Sequence, residues 1–139
     1  MIQGVIDGIV KAIKNEYQDY RVYTESVEQG LETPCFSVLC LSADDEHRLG
    51  VRYNKDYLIN INYFPSSDEP YMECQNVGEV LGDILQDIVV DGAVIHGSNI
   101  SWNITDSVLV ATASYRIYAK KDTVTEIDMA EQSVLTTAE

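Results

Sequence analysis

The stretch RLGVRYNKDYLININY, residues 48–63, is where the fold is decided. Leu49, Val51 and Tyr53 alternate with Arg48, Gly50 and Arg52, and Tyr57, Ile59, Ile61 and Tyr63 alternate with Asn60 and Asn62. A period of two belongs to a strand with one buried face. Asn54-Lys55-Asp56 between the two runs has turn composition, so the pair predicts a hairpin.

Upstream, Phe36 to Leu41 is a continuous apolar run bounded by Pro34 and by Asp44-Asp45-Glu46. Its length suits a strand covered on both faces, with the acidic triplet as a solvated loop. Glu25 to Pro34 reads as a polar connector, and Arg21-Val22-Tyr23 as a short strand. Ile2, Val5, Ile6, Ile9, Ile13 and Tyr17 recur at helical spacing and predict an N-terminal amphipathic helix.

Downstream, residues 65–70 form a loop ahead of a second helix, whose stripe is Met72, Val77, Val80, Leu81, Ile84 and Leu85. Gly78 and Gly82 lie inside that helix at a cost of up to ~1 kcal/mol each against Ala. Either something approaches the helix closely there, sheet or neighbouring subunit, or these are tolerated surface glycines. Ile88 to Val90 is a strand ending at Asp91-Gly92, and Gly97-Ser98-Asn99 interrupts the next apolar segment. Ile100, Trp102 and Ile104 alternate, Thr105-Asp106-Ser107 turns the chain, and Val108 to Ala119 is the longest strand candidate. The sum is an α+β fold, a mostly antiparallel sheet of hairpins packed against two main helices.

At 139 residues the chain is one domain, read as 1–121. Residues 122–139 contain Asp122, Glu126, Asp128, Glu131 and Glu139 and no base, and read as an acidic, flexible C-terminal tail. Nine Lys and Arg against 23 Asp and Glu give a net charge of −14 and a pI near 4.3. Such a surface repels phosphate backbones and anionic membranes, which excludes sequence-specific nucleic-acid binding and membrane binding as expectations. Solubility accounts for the charge; an acid-lined channel through which DNA slides without sticking is the sharper account. No apolar run approaches the ~20 residues needed to span a bilayer. Cys35, Cys40 and Cys74 are odd in number and sit in apolar segments, which fits reduced thiols in a cytoplasm.

Catalytic chemistry is hard to place. His47 and His96 have no second ligand at metal spacing, and no CxxC, GxSxG, P-loop or GxGxxG occurs. No catalytic, cofactor-binding or metal residue is assigned, and no cofactor is expected. Asp44-Asp45-Glu46-His47 is the one cluster that could hold Mg²⁺ as a small nuclease does. Few cations, among them Arg48, Arg52, Lys55, Lys120 and Lys121, are available to hold phosphates. Nine tyrosines against two phenylalanines fit either protein interfaces or cross-strand packing.

Taken in order, several of these features resemble the phage tail terminator family of Gram-positive phages and phage-derived tail-like particles. They are the N-terminal helix, Tyr23-Thr24-Glu25 with Val27, Gln29-Gly30, Pro34 and Phe36, and Gly50 with Arg52-Tyr53. Tyr63-Phe64-Pro65, Asp91-Gly92, Gly97-Ser98-Asn99 and the closing strand through Tyr115 and Tyr118 follow. The resemblance spans about residues 1–120. It implies a structural, non-enzymatic assembly protein that forms a hexameric ring, caps the tail tube, ends its polymerisation and joins tail to neck or collar. Its partners would be further copies of itself, the tail tube protein, and sheath and neck or collar proteins. It would assemble in the host bacterial cytoplasm and remain in the virion or tail-like particle. Asp44, Asp45, Glu46, Arg48, Arg52, Tyr53, Lys55 and Tyr57 are the candidate interface, facing the tube or an adjacent subunit. The alternatives are another head–tail connector, neck protein or baseplate adaptor, a small metal-dependent nuclease, and a monomeric binding module.

Overall fold

The structure, a computed structural model, describes residues 2–25, 31–47 and 52–120. In chain order the elements are α1 (Ile2–Glu16), β1 (Arg21–Tyr23), β2 (Cys35–His47), β3 (Arg52–Phe64), α2 (Pro70–Ile84), β4 (Asp87–Val90), β5 (Ala93–Thr105) and β6 (Val108–Lys120). The six strands form one sheet in the order β1-β2-β3-β6-β5-β4. β1 pairs with β2 in parallel, Val22 opposite Phe36, while β4–β5 and β5–β6 are antiparallel. The α+β architecture expected from the sequence is the one observed. The chain divides into two compact units, residues 1–43 with 57–115, and residues 44–56 with 116–139. The expected C-terminal tail, 122–139, lies outside the described residues.

In the first unit both helices lie on one face of the sheet. Val5, Ile9 and Ile13 of α1 are fully buried, four residues apart as the 3.6-residue turn requires. α1 runs against β4 and α2 against β5. The strands bury alternate residues beneath them: Tyr57, Ile59, Ile61 and Tyr63 on β3, and Leu109, Ala111, Ala113 and Tyr115 on β6. Tyr17, Tyr20, Phe36 and Tyr63 close one end as an aromatic cluster, with neighbouring ring centroids 4.8–6.3 Å apart. This range is that of tilted and offset pairs.

Two glycines are fixed by close approach. A Cβ on Gly78 would stand 2.6 Å from the Trp102 ring, so α2 meets β5 at that point. Gly82, four residues on, has nothing within 4 Å, and the two readings offered for this pair divide between them. A Cβ on Gly97 would stand 2.7 Å from the Leu85 carbonyl oxygen, which accepts the Tyr115 hydroxyl at 2.6 Å. The Gly97 N–H donates to the Gln86 carbonyl at 2.7 Å. Gly97-Ser98-Asn99 therefore does not interrupt the strand as expected. β5 runs through it by a register shift between Ser98 and Ser101, with Asn99 at a φ of 52°, as at a bulge.

The larger correction concerns the opening stretch. Asn54-Lys55-Asp56 is not a turn, and Asp44-Asp45-Glu46 is not a loop. Both lie within 13-residue strands, β3 and β2, which are sheet neighbours joined through residues 48–51. Cross-strand partners explain why polar residues are tolerated there. Phe36, Ser37 and Val38 are buried as a strand covered on both faces should be, but Leu41 is 56% exposed, so that cover ends within β2.

Candidate interaction surface

The second unit is described at 44–47, 52–56 and 116–120, and three cross-strand pairs lie within it. Lys55 Nζ lies 3.0 Å from Asp45 Oδ1. Asn54, only 2% exposed, donates its Nδ2 hydrogen to Glu46 Oε1 at 3.4 Å. Arg116 grips Asp56 with both arms, Nε to Oδ1 at 2.6 Å and Nη2 to Oδ2 at 3.1 Å. That fork matches the carboxylate geometry and is the strong form of an ion pair. It holds the Asp56 carboxyl below its ordinary range, chiefly through the hydrogen bond, and raises the Arg116 guanidinium.

The expected interface residues are thus dispersed by the fold. Asp44, Asp45 and Glu46 are exposed, and strand alternation sends Asp45 to the face opposite Asp44 and Glu46. Lys55 is already engaged with Asp45 of its own chain, so it is not an unmet cation awaiting a neighbour. Tyr57 is 5% exposed and belongs to the core, offering a partner little. Arg52 and Tyr53 lie at the start of β3, and Arg48 lies outside the described residues. Among the described residues, no group of three or more His, Cys, Asp or Glu is placed to hold a metal.

Other chemistry-bearing groups are held in structural roles. The Tyr63 hydroxyl donates to Glu73 Oε2, and the same carboxylate accepts the N–H groups of Ser66 at 3.3 Å and Ser67 at 3.0 Å. Burial raises the Glu73 carboxyl, but the bonds from Ser67 and Tyr63 outweigh it and hold the group below its ordinary range. Tyr63 is raised by burial and then by Glu73. This knot fixes the loop into α2. Burial pushes the Cys35 and Cys74 thiols up, away from the nucleophilic thiolate. His96 lies in β5 opposite Asp87 and pairs with its carboxylate.

Exposed apolar side chains lie elsewhere. Val89 and Val94 face each other across β4 and β5 at 57% and 58% exposure, and Tyr71 is as exposed at the start of α2. Met72, expected in the apolar stripe of α2, is 58% exposed instead, ahead of the buried Cys74, Val77 and Leu81. Strand alternation around Asp91-Gly92 was the signal available for the valine pair. A groove of about 420 Å³ between α1 and β4 is lined by Gly4, Gly8, Asp87 and Asp91 among others and gathers no nucleophile.

These features define a class first: an α+β domain with ordered cross-strand charge pairs and apolar side chains presented outward. The phage tail terminator proteins match it over residues 4–127, and the chain belongs to that family, which is one of structural phage tail proteins. None of the curated proteins compared with it matches. Among solved structures, one chain 12% identical aligns over 83% of this chain and 94% of its own with a TM-score of 0.34, too slight a likeness to bear on fold or function. A phage tail component is part of the virion. No described helix is long and apolar enough to cross a membrane.

Proposed function

We propose that the protein ends tail-tube polymerisation as a closed hexameric ring seated on the last ring of tube subunits, without catalysing any reaction. The observation that carries this reading is the family match over residues 4–127, which takes in the described sheet and both helices. The mechanism is geometric. A cyclic ring satisfies its own heterologous contacts, and its outer face lacks the template that a further tube ring needs. The tail tube protein is the main partner, with sheath and neck or collar proteins on the other side, and no cofactor takes part.

The domain is read as residues 1–121, with 122–139 as an acidic extension. Assembly takes place in the host bacterial cytoplasm, and the ring stays in the virion or tail-like particle. With a net charge of −14, the copies of a ring present a surface to which DNA does not adhere. The acidic strand segment Asp44–Glu46, with Arg48, Arg52 and Tyr53, is the proposed contact with the tube end or an adjacent subunit, and Lys55 supports Asp45 from behind.

Electron microscopy of tails made without this protein tests the reading. Polytubes of uncontrolled length are the expected result, and tails of normal length lacking heads would refute it in favour of a connector. In the complemented strain, Arg52→Glu should give overlong tails or abolish rings, and normal rings on normal tails would remove this segment from the contact.

A further inference from the structure

The nine basic residues of the chain are unevenly placed. Residues 57–115 contain no Lys or Arg, whereas Arg48, Arg52, Lys55, Arg116, Lys120 and Lys121 all fall within 44–56 and 116–121. Strand pairing sets these two distant segments beside each other in the second unit, where Arg116 holds Asp56. Charge within the unit is sorted by strand. The end of β2 carries Asp44, Asp45 and Glu46 without a Lys or Arg, and residues 116–121 carry three bases without an acid. β3 lies between them.

Both outer strands also end as open edges. β1 accompanies β2 from Cys35 to Ser37, and β5 accompanies β6 no further than Tyr115. Beyond those points, among the described residues, β3 separates β2 from β6 and no strand lies on the far side of either. An open strand edge presents unpaired N–H and C=O groups, a template on which another chain can pair. Each outer strand presents one large apolar side chain, Leu41 at 56% exposure on β2 and Tyr118 at 71% on β6. Asp45 and Arg116 have partners in their own chain, Lys55 and Asp56, but Asp44 meets no cation among the described residues.

We propose that the acidic edge of β2 in one copy pairs with the basic edge of β6 in the next, and that this strand pairing closes the ring. The inference rests on the ring reading above and names the contact between its copies. Charge selects the occupant. Two β2 edges would set Asp44, Asp45 and Glu46 against their own kind, and two β6 edges would set Lys against Lys, so like edges repel. Unlike edges attract, and backbone hydrogen bonds then add along the paired strands. Such a contact is heterologous: each copy added leaves one acidic and one basic edge unmet, until closure satisfies both. Copies that each carry −14 repel over most of their surface, so an attractive contact must use the unit where the cations are gathered.

The test exchanges the charges in the full-length chain. One variant carries Asp44→Lys with Asp45→Lys, and the other carries Lys120→Glu with Lys121→Glu. Circular dichroism verifies each fold, light scattering and cross-linking of assembled tails count the copies, and microscopy measures tail length. Each variant alone should self-associate more weakly by about tenfold or more, with overlong tails. Mixed in equal amounts they should regain rings, because alternating copies again set every acidic edge against a basic one. In wild-type rings, amide exchange at 42–46 and 117–120 should be slower than in the dilute monomer. Two folded variants that form normal rings alone, or that stay apart when mixed, overturn the inference and leave the ring reading intact. Unchanged exchange at both edges of the wild-type ring, a measurement that needs no variant, does the same. Normal rings on overlong tails also overturn it, since these strands then meet the tube. Wild-type chain that forms no multimer, free or on tails, defeats the ring reading and this inference together.

Discussion

The hairpins of the chain close on different physics. Asp91-Gly92 joins β4 to β5 with φ angles of 51° and 83°, and Asp106-Ser107 joins β5 to β6 at 53° and 61°. Positive φ at both central residues is the mark of the type I′ turn, whose twist matches that of the strands it connects. Only a few residue types adopt it cheaply, so the turn writes itself into the sequence. Asn54-Lys55-Asp56 has the same composition and lies inside β3, where Asp45, Glu46 and Arg116 answer it from neighbouring strands. Composition cannot separate a polar residue that turns the chain from one that pairs across a sheet. Region 87–115 is held by backbone closeness and apolar packing, whereas 44–56 with 116 is held by side-chain charge.

That contrast breaks most visibly under β6. Leu109 is fully buried, and Leu109→Ala should cost about 2–5 kcal/mol for the lost burial and the cavity left behind. Chemical denaturation measures it directly. A loss under 1 kcal/mol would mean the helix side of the sheet is less tightly packed than its burial indicates.

Gly97→Ala is the next step down. The new Cβ meets the Leu85 carbonyl at 2.7 Å and the Tyr115 ring at 3.0 Å, neither at the free end of a flexible chain. Overpacking of this kind costs ~1–3 kcal/mol. Gly82→Ala, with open space around it, should be neutral or slightly stabilising through helix propensity. Equal effects at the two positions would show that strand and helix there adjust freely.

The same reasoning says what the sequence disclosed and what it concealed. α1, β1, α2 and the two turns were legible because periodicity and positive-φ residues are local signals, read within a few positions. The family resemblance was legible through short motifs in order. The 13-residue length of β2 and β3 was not, because Asp45, Glu46, Asn54 and Lys55 disfavour strands individually and are stabilised there by partners eight to ten residues away. Tyr57 stands in the sequence both in the alternating set with Ile59, Ile61 and Tyr63 and in the candidate interface beside the expected turn, and its 5% exposure agrees with the first. Segments 37–43, 58–64, 97–105 and 108–115 carry no charge in the sequence, but only the pairing of the strands shows that they lie side by side.

The smallest effect sharpens the comparison from the charged side. Arg116 keeps the Asp56 carboxyl ionised below its ordinary range. A carboxyl depressed in the folded state stabilises fully above its unfolded value, ~3.9 for Asp, and that stabilisation drains away as pH falls through the folded value. Wild-type protein should therefore lose stability on acidification below about pH 4 more steeply than Asp56→Asn, with the two curves parallel from pH 5 to 7. Both side chains are partly exposed, 50% and 33% for Arg116 and Asp56, so salt screens the pair and the difference should shrink toward 1 M NaCl, where the Debye length is ~3 Å. Leu109→Ala and Gly97→Ala carry no such salt or pH dependence, because no charge is involved in either. Matching acid limbs for wild type and Asp56→Asn would mean that the forked pair forms in solution too rarely to order the ends of β3 and β6, and that backbone pairing alone holds them.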